Sequence, residues 1–377
     1  MINTAKRLGC YLLYPPSLVY QALTTGRNLL YDFHLLETSG VPVPVICVGN
    51  LTVGGTGKTP MVAWLANHFI SHGKKVALLS RGYQRRNNNN PLMLLPDEPA
   101  DRDFLIDDLG DEAALLHSRF PDAALILDTN RRRGATAVCS RWQPDIIIMD
   151  DGFQHRRLQR DINLVMIDSQ RLFGNGHLLP AGPLRESLAA LERADLVVLN
   201  KFDLPHPDFG GQIGKLFNHI SPRRVCTAMY RLSSFHFLSR ENPPMAAHQM
   251  AGQTAVAFAG IGNPDYFFQQ LEGLGITLKK TLTFPDHCPY TAAALEKISR
   301  AAAGCDLAIT TAKDAVKIAA IPAAGELLPQ LTIADIELQI NQPERFNKLL
   351  ESRLALRYSA KKTHQQISLA DNDKNDS

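Results

Sequence analysis

From position 41 onward the chain alternates short, almost uninterrupted apolar runs with stretches of helical period. The runs cover 45–48, 76–80, 124–127, 146–149, 164–167 and 196–199. They lack the in-out alternation of a half-solvated sheet, so both faces are predicted to be covered, as in a parallel sheet between layers of helix. Between the first two runs the helix signals are local. Pro60 falls in a first turn, Val62, Leu65, Ala66 and Phe69 share one face, and Gly73 lies just past the end. A Pro- and His-containing link at 205–207 separates this series from a second one, at 255–259, 278–284, 307–310 and 331–336. The pattern predicts an α/β chain with a larger domain over 41–225 and a smaller α/β domain over 226–356.

The ends read differently. In the first forty residues Leu8, Tyr11, Leu12, Leu18, Val19, Leu23, Leu29, Leu30 and Tyr31 are interspersed with Lys6, Arg7 and Arg27, and Pro15-Pro16 interrupts the helical period. That amphipathic segment predicts either a helical hairpin packed on its own domain or a helix lying on a bilayer. No run of eighteen apolar residues predicts a spanning helix, and no cleavage site follows an apolar stretch near the start, so a cytoplasmic protein is expected. Segments 85–90, ending in four asparagines, and 97–108, rich in acids, read as loops, and 357–377 as a disordered tail with little to bury.

With 45% hydrophobic and 20% charged residues the chain is ordinary globular material, and a net charge of +3 argues against a nucleic-acid coat. Six scattered cysteines without a C-x-x-C pair suggest reduced thiols, not a zinc site or a disulfide framework.

The strongest chemical signal joins the first strand to the first helix: Val48-Gly49-Asn50-Leu51, then Thr52, Val53, Gly54, Gly55, Thr56, Gly57, Lys58 and Thr59. Glycines let successive backbone N–H groups curl around phosphate. Lys58 offsets β/γ-phosphate charge, and Thr59 is placed to ligate Mg²⁺. Thr52 stands where the P-loop pattern expects glycine, but the context outweighs that departure. The fold class expected is therefore a P-loop NTPase-like, mostly parallel sheet with helices on both faces. The run at 146–149 leads into Asp150 and Asp151, a Walker-B arrangement that holds Mg²⁺ directly or through water.

Asp111 and Glu112 open a helix, where acids are favourable first-turn charges, yet a kinase also needs a carboxylate at the sheet rim to take a hydroxyl proton. Gly182-Pro183-Leu184-Arg185 presents a permanent cation suited to phosphoryl charge, and Arg131, Arg132 and Arg133 form either a solvated face or an anion site. Gly260-Ile261-Gly262 indicates only a tight turn, and Asp286-His287 follows a strand. Asn200-Lys201-Phe202-Asp203 matches the N-K-x-D guanine reader, echoed weakly by Thr311-Ala312-Lys313-Asp314. A regulatory GTPase therefore stays open beside a kinase, as does a nucleotide-dependent binding module, although the D-x-x-G of GTPases is absent.

Taken in order, V-G-N-L-T-V-G-G-T-G-K-T-P, L-S-R-G-Y, G-D-E, D-D-G-F-Q-H, L-L-P-A-G-P-L-R-E, G-I-G-N-P and F-P-D-H-x-x-Y resemble the tetraacyldisaccharide 4'-kinases of lipid A synthesis. The resemblance runs from Val41 to about Lys317. It implies ATP and Mg²⁺ as cofactors, and phosphorylation of the 4'-hydroxyl of a tetraacylated glucosamine disaccharide 1-phosphate. It also implies work at the inner face of the inner membrane of Gram-negative bacteria and an acylated disaccharide lipid as partner; no nucleic acid is expected from the charge balance, and no obligate protein partner is evident in the sequence. By the same resemblance Lys58 and Thr59 act on phosphates and metal, Asp150 and Asp151 lie near the metal, Asp111 is the base with His287 as its partner, and Arg185 is an electrostatic clamp. The acylated substrate favours the interfacial reading of residues 1–40.

Overall fold

The computed structural model describes residues 2–82, 91–96, 106–238, 243–286, 288–321 and 324–356. The four-asparagine insertion, most of the 97–108 stretch, His287 and the 357–377 tail lie outside the described residues.

The chain opens with one long helix, α1 (Ile2–Asp32), that contains both Pro15 and Pro16. The break expected at the proline pair is absent. An interior proline costs about 3 kcal/mol, and contacts just beyond the pair hold the helix in place. The Ser17 hydroxyl donates to the Leu178 carbonyl at 2.8 Å, and the Tyr20 hydroxyl to the Arg185 carbonyl at 3.1 Å.

The larger half comprises β1 (Val45–Asn50), α2 (Lys58–Ser71), β2 (Val76–Ser80), β3 (Leu92–Leu94), α3 (Ile106–Leu109), α4 (Asp111–Arg119), β4 (Ala124–Leu127), α5 (Arg131–Arg141), β5 (Ile146–Asp150), β6 (Ile162–Asp168), β7 (Leu196–Asn200) and α6 (Phe209–Phe217). The remainder holds β8 (Val225–Phe237), β9 (Met245–Ala246), β10 (Thr254–Ala259), α7 (Pro264–Gly273), β11 (Thr277–Thr283), α8 (Ala292–Ala302), β12 (Leu307–Thr311), α9 (Ala312–Ala319), α10 (Ala324–Leu327) and β13 (Leu331–Ile340). A last helix follows at 343–356.

The strands form one sheet in the order β11-β10-β12-β13-β8-β7-β6-β1-β5-β2-β4-β3, with β9 beside β8. From β7 to β4 all neighbours are parallel, and β3 closes that edge antiparallel to β4. The long strand β8 joins the halves. Its start, Val225 to Thr227, pairs parallel with β7, and the rest, Ala228 to Phe237, pairs antiparallel with β13. Every residue of β1, β5 and β7 is buried, as their continuous apolar sequences require. Separate apolar clusters pack on the two faces of each half. β1 lies between β6 and β5, with Val48 opposite Asp150, so the first loop and the acid at the end of β5 leave the sheet side by side.

Candidate active site

At the end of β1 the chain turns through 51–57 into α2. The Asn50 amide donates to the Thr52 carbonyl at 2.7 Å and to the Thr56 hydroxyl at 2.9 Å, drawing the loop into a curl. Gly57, at the N-cap of α2, has φ 92°, a left-handed conformation that favours glycine. A Cβ there would collide with the Asn200 amide and the Tyr230 hydroxyl. The segment bearing Arg185 is stitched alongside: the Arg185 N–H donates to the Leu51 carbonyl at 2.7 Å, and the Val53 N–H to the Pro183 carbonyl at 2.9 Å.

Charges converge on this curl. Lys58 Nζ stands 3.5 Å from Asp151 Oδ1, and the Arg185 guanidinium donates to both Asp151 oxygens at 2.9 and 3.1 Å. Burial alone would raise the Asp151 pKa, but the Lys58 and Arg185 charges outweigh it and hold this carboxyl below its ordinary value. Asp150 behaves oppositely. Burial, followed by repulsion from Glu112, pushes it up to about 7 despite the attraction of Lys58. Its Oδ1 is buried without a hydrogen-bond partner among the described residues. A desolvated, unpaired carboxylate oxygen beside a phosphate loop fits a divalent cation, as does the neighbouring Thr59 hydroxyl at the start of α2. The described residues contain no group of three or more His, Cys, Asp or Glu arranged for a metal. The donor set therefore suits Mg²⁺ in its phosphate-dependent mode, with one or two carboxylates and the rest of the shell from phosphate and water.

Asp111 is the first residue of α4 and is buried. Gly110 before it has φ 81°, which turns the chain sharply into the helix, and Asp111 Oδ1 accepts the N–H of Glu112 at 2.9 Å. The other half reaches it through α9. Lys313 Nζ lies 3.8 Å from Asp111 Oδ2, 3.5 Å from Glu112 and 3.1 Å from Asp286, and Lys317 Nζ lies 3.7 Å from Asp111 Oδ2. The structure thus brings residues 52–59, Asp150, Asp151, Arg185 and Asp111 to the ends of neighbouring strands and helices. His287 lies outside the described residues, but Asp286 before it joins the cluster through Lys313.

Two other sequence signals resolve. Of the arginine run, Arg133 pairs with Asp128 at 2.8 Å and Arg132 with Glu37 at 3.2 Å, whereas Arg131 is buried and its charge bears on Asp150 and His155. The N-K-x-D residues are engaged within the chain. Asn200 donates to the Thr56 carbonyl and to the Tyr230 hydroxyl, Lys201 pairs with buried Asp168 at 2.6 Å, and Asp203 accepts from Tyr266 and Gln270. The acid that would read guanine is occupied by the smaller half. Sequence reasoning gave Lys313 only a place in a weak guanine-reader echo and missed Lys317, which pattern alone presents as an ordinary cation on a short helix.

The family model for tetraacyldisaccharide-1-P 4'-kinase, LpxK, matches residues 10–355. The chain belongs to this family. A tetraacyldisaccharide 4'-kinase of Geobacter metallireducens is 37% identical over 355 residues, covering 92% of this chain and 99% of the relative. One from Haemophilus influenzae is 36% identical, covering 81% of this chain and 83% of its own length. The crystal structure of LpxK from Aquifex aeolicus in complex with ATP superposes with a TM-score of 0.70 at 28% identity, covering 92% of this chain and 99% of that one. The P-loop-like parallel sheet is thus that of the LpxK family, and the regulatory GTPase and binding-module readings fall away.

Proposed function

We propose that this chain transfers the γ-phosphoryl group of ATP to the 4'-hydroxyl of a tetraacylated glucosamine disaccharide 1-phosphate, a step of lipid A biosynthesis. The observation that carries the reading is the convergence of a P-loop curl, an orphaned buried carboxylate and a second buried acid at one edge of a fold shared with this kinase family.

In this reading residues 52–57 wrap the nucleotide phosphates with backbone N–H groups, and Lys58 offsets their charge. Thr59 and Asp150 would hold Mg²⁺, with Asp151 beside it, and a cation bound there would supply positive charge against the β- and γ-phosphates. Asp111 accepts the proton of the 4'-hydroxyl as its oxygen bonds to the γ-phosphorus. The bond from that phosphorus to the bridging oxygen breaks, and its electrons leave with ADP. Arg185, anchored on Asp151, faces the transferring group and offsets its charge. His287 orients Asp111, an assignment supported by the place of Asp286 in the cluster.

The division into 1–40, 41–225, 226–356 and a tail at 357–377 belongs to the same reading, with base and partner contributed by different halves. Residues 1–40 serve the lipid. Leu12, Val19, Leu23 and Leu30 recur along one side of α1 and are solvent-exposed, Leu12 by 75% and Leu23 by 68%. No helix among the described residues is long and apolar enough to cross a membrane. An exposed apolar stripe on a helix bonded to the Arg185 segment suits docking on the inner face of the inner membrane, where the acyl chains of the substrate reside.

The test is acceptor-dependent turnover. ADP release from Mg-ATP should require tetraacyldisaccharide 1-phosphate presented in mixed micelles. ATP consumption at the same rate without acceptor, or none with it, would refute the reading.

A further inference from the structure

We infer that Lys313 and Lys317, on α9 of the smaller half, are positioning residues for the reaction, fixing the Asp111 carboxylate in its place across the cleft. The inference rests on the assignment of Asp111 as base.

The geometry is specific. The two lysines are four residues apart and share one face of α9. Both ammonium groups approach the same Asp111 oxygen, Oδ2, at 3.8 and 3.7 Å, while the other oxygen is engaged by the Glu112 N–H. Lys317 Nζ is buried, 3.3 Å from Asp314 and over the Tyr290 ring, yet has no well-formed hydrogen bond among the described residues. A buried donor in that state is costly unless the site uses it.

The chemistry explains the need. A general base works only as the anion, and Asp111 shares its lysines with other acids: Glu112 on its own helix, Asp286 after β11 and Asp314 on α9. Lys58 stands with Asp151, and Lys313 and Lys317 are paired to Asp111. Opposite charge at this range favours the ionised carboxylate. The same turn of chain reaches the P-loop. Asp314 accepts the Gly260 N–H at 3.0 Å, and two residues on, Gly262 packs against Gly55, its Cα 3.6 Å from where a Gly55 Cβ would stand. The Thr311-Ala312-Lys313-Asp314 motif thus ties the base to the loop that lies on the phosphate cradle.

The experiment is a pH–rate profile of kcat for the full chain and for Lys313→Met, Lys317→Met and Asp111→Asn, with KM for ATP and a thermal melt for each. On the acidic limb each lysine variant should lose up to about tenfold in kcat, the limb moving up by about one pH unit. KM for ATP should change little, and activity should recover toward the parent at higher pH. Should Lys317→Met fail to fold, Lys313→Met, whose ammonium is more open to solvent, decides alone. An acidic limb that coincides with the parent's in the folded variants overturns the inference, with or without a loss of kcat, since a merely structural role produces that result. A change confined to KM for ATP also overturns it. Full turnover by Asp111→Asn would instead overturn the assignment of the base itself.

Discussion

Replacing Asp150 by Asn removes a charge that the fold disfavours and that, in the proposed function, Mg²⁺ would require. The carboxyl's ordinary value is 3.8, and burial with the repulsion of Glu112 moves it to about 7. Between those values the native chain keeps a proton that the unfolded chain has lost. Stability therefore falls as pH rises from about 3.8 toward 7 and then levels. At ~1.4 kcal/mol per pH unit the cost of the ionised carboxyl is about 4 kcal/mol at pH 8 and under about 2 kcal/mol at pH 5. Asp150→Asn lacks that cost, so without Mg²⁺ and nucleotide it should melt several degrees above the parent at pH 8. The gap should narrow steadily as the pH is lowered toward 4.5. Mg-ATP should raise the melting temperature of the parent strongly and of the variant weakly, because a neutral amide is a poor ligand for a hard cation. Thermal unfolding followed by circular dichroism between pH 4.5 and 8.5 makes the measurement. A gap independent of pH, or a variant less stable at pH 8, would refute the picture of Asp150 as a desolvated acid held for metal.

Other outcomes follow from the same geometry. Lys58→Met should weaken ATP binding and cut kcat/KM by two or more orders of magnitude, checked by calorimetric titration and initial rates; unchanged ATP affinity would remove Lys58 from the phosphate site. Changing Leu12, Val19 and Leu23 together to Ser should lower partitioning onto anionic vesicles at least tenfold, since each loses about 1.5–3 kcal/mol of apolar burial. Acceptor-free nucleotide affinity should stay as in the parent, and equal partitioning would show that the stripe of α1 does not meet lipid. Because Asp203 is held by Tyr266 and Gln270, ATP should be used in preference to GTP, and Asp203→Asn should leave that preference intact in competition assays.

Much of the larger half was legible because its strands are buried on both faces and so carry unbroken apolar sequence. The runs at 45–48 and 146–149 correspond to β1 and β5, each extended only to its terminal polar residue, Asn50 or Asp150. The P-loop was legible because Gly57 has both a backbone and a steric reason to be glycine, and each leaves its mark in a short span. β8 was not. Its thirteen residues mix Arg231, Ser233 and Ser234 with apolar positions, because it changes partners along its length and meets different surroundings. The helix through Pro15-Pro16 was hidden for a related reason: bonds from Ser17 and Tyr20 to residues far along the chain oppose the local preference of proline. Within the site, acids at strand ends could be placed from topology alone. Lys313 and Lys317 could not, since only the packing of α9 against α4 brings them to Asp111.

The most direct test of the central claim is the fate of the transferred phosphate. Purified chain, Mg²⁺, ATP labelled in the γ-phosphoryl group and tetraacyldisaccharide 1-phosphate should yield a labelled bis-phosphorylated lipid. Phosphorus NMR and fragmentation mass spectrometry should place the new phosphate on the 4'-oxygen, with product formation abolished by Lys58→Met. Label found only in inorganic phosphate, or on any other position of the sugar, would contradict the account.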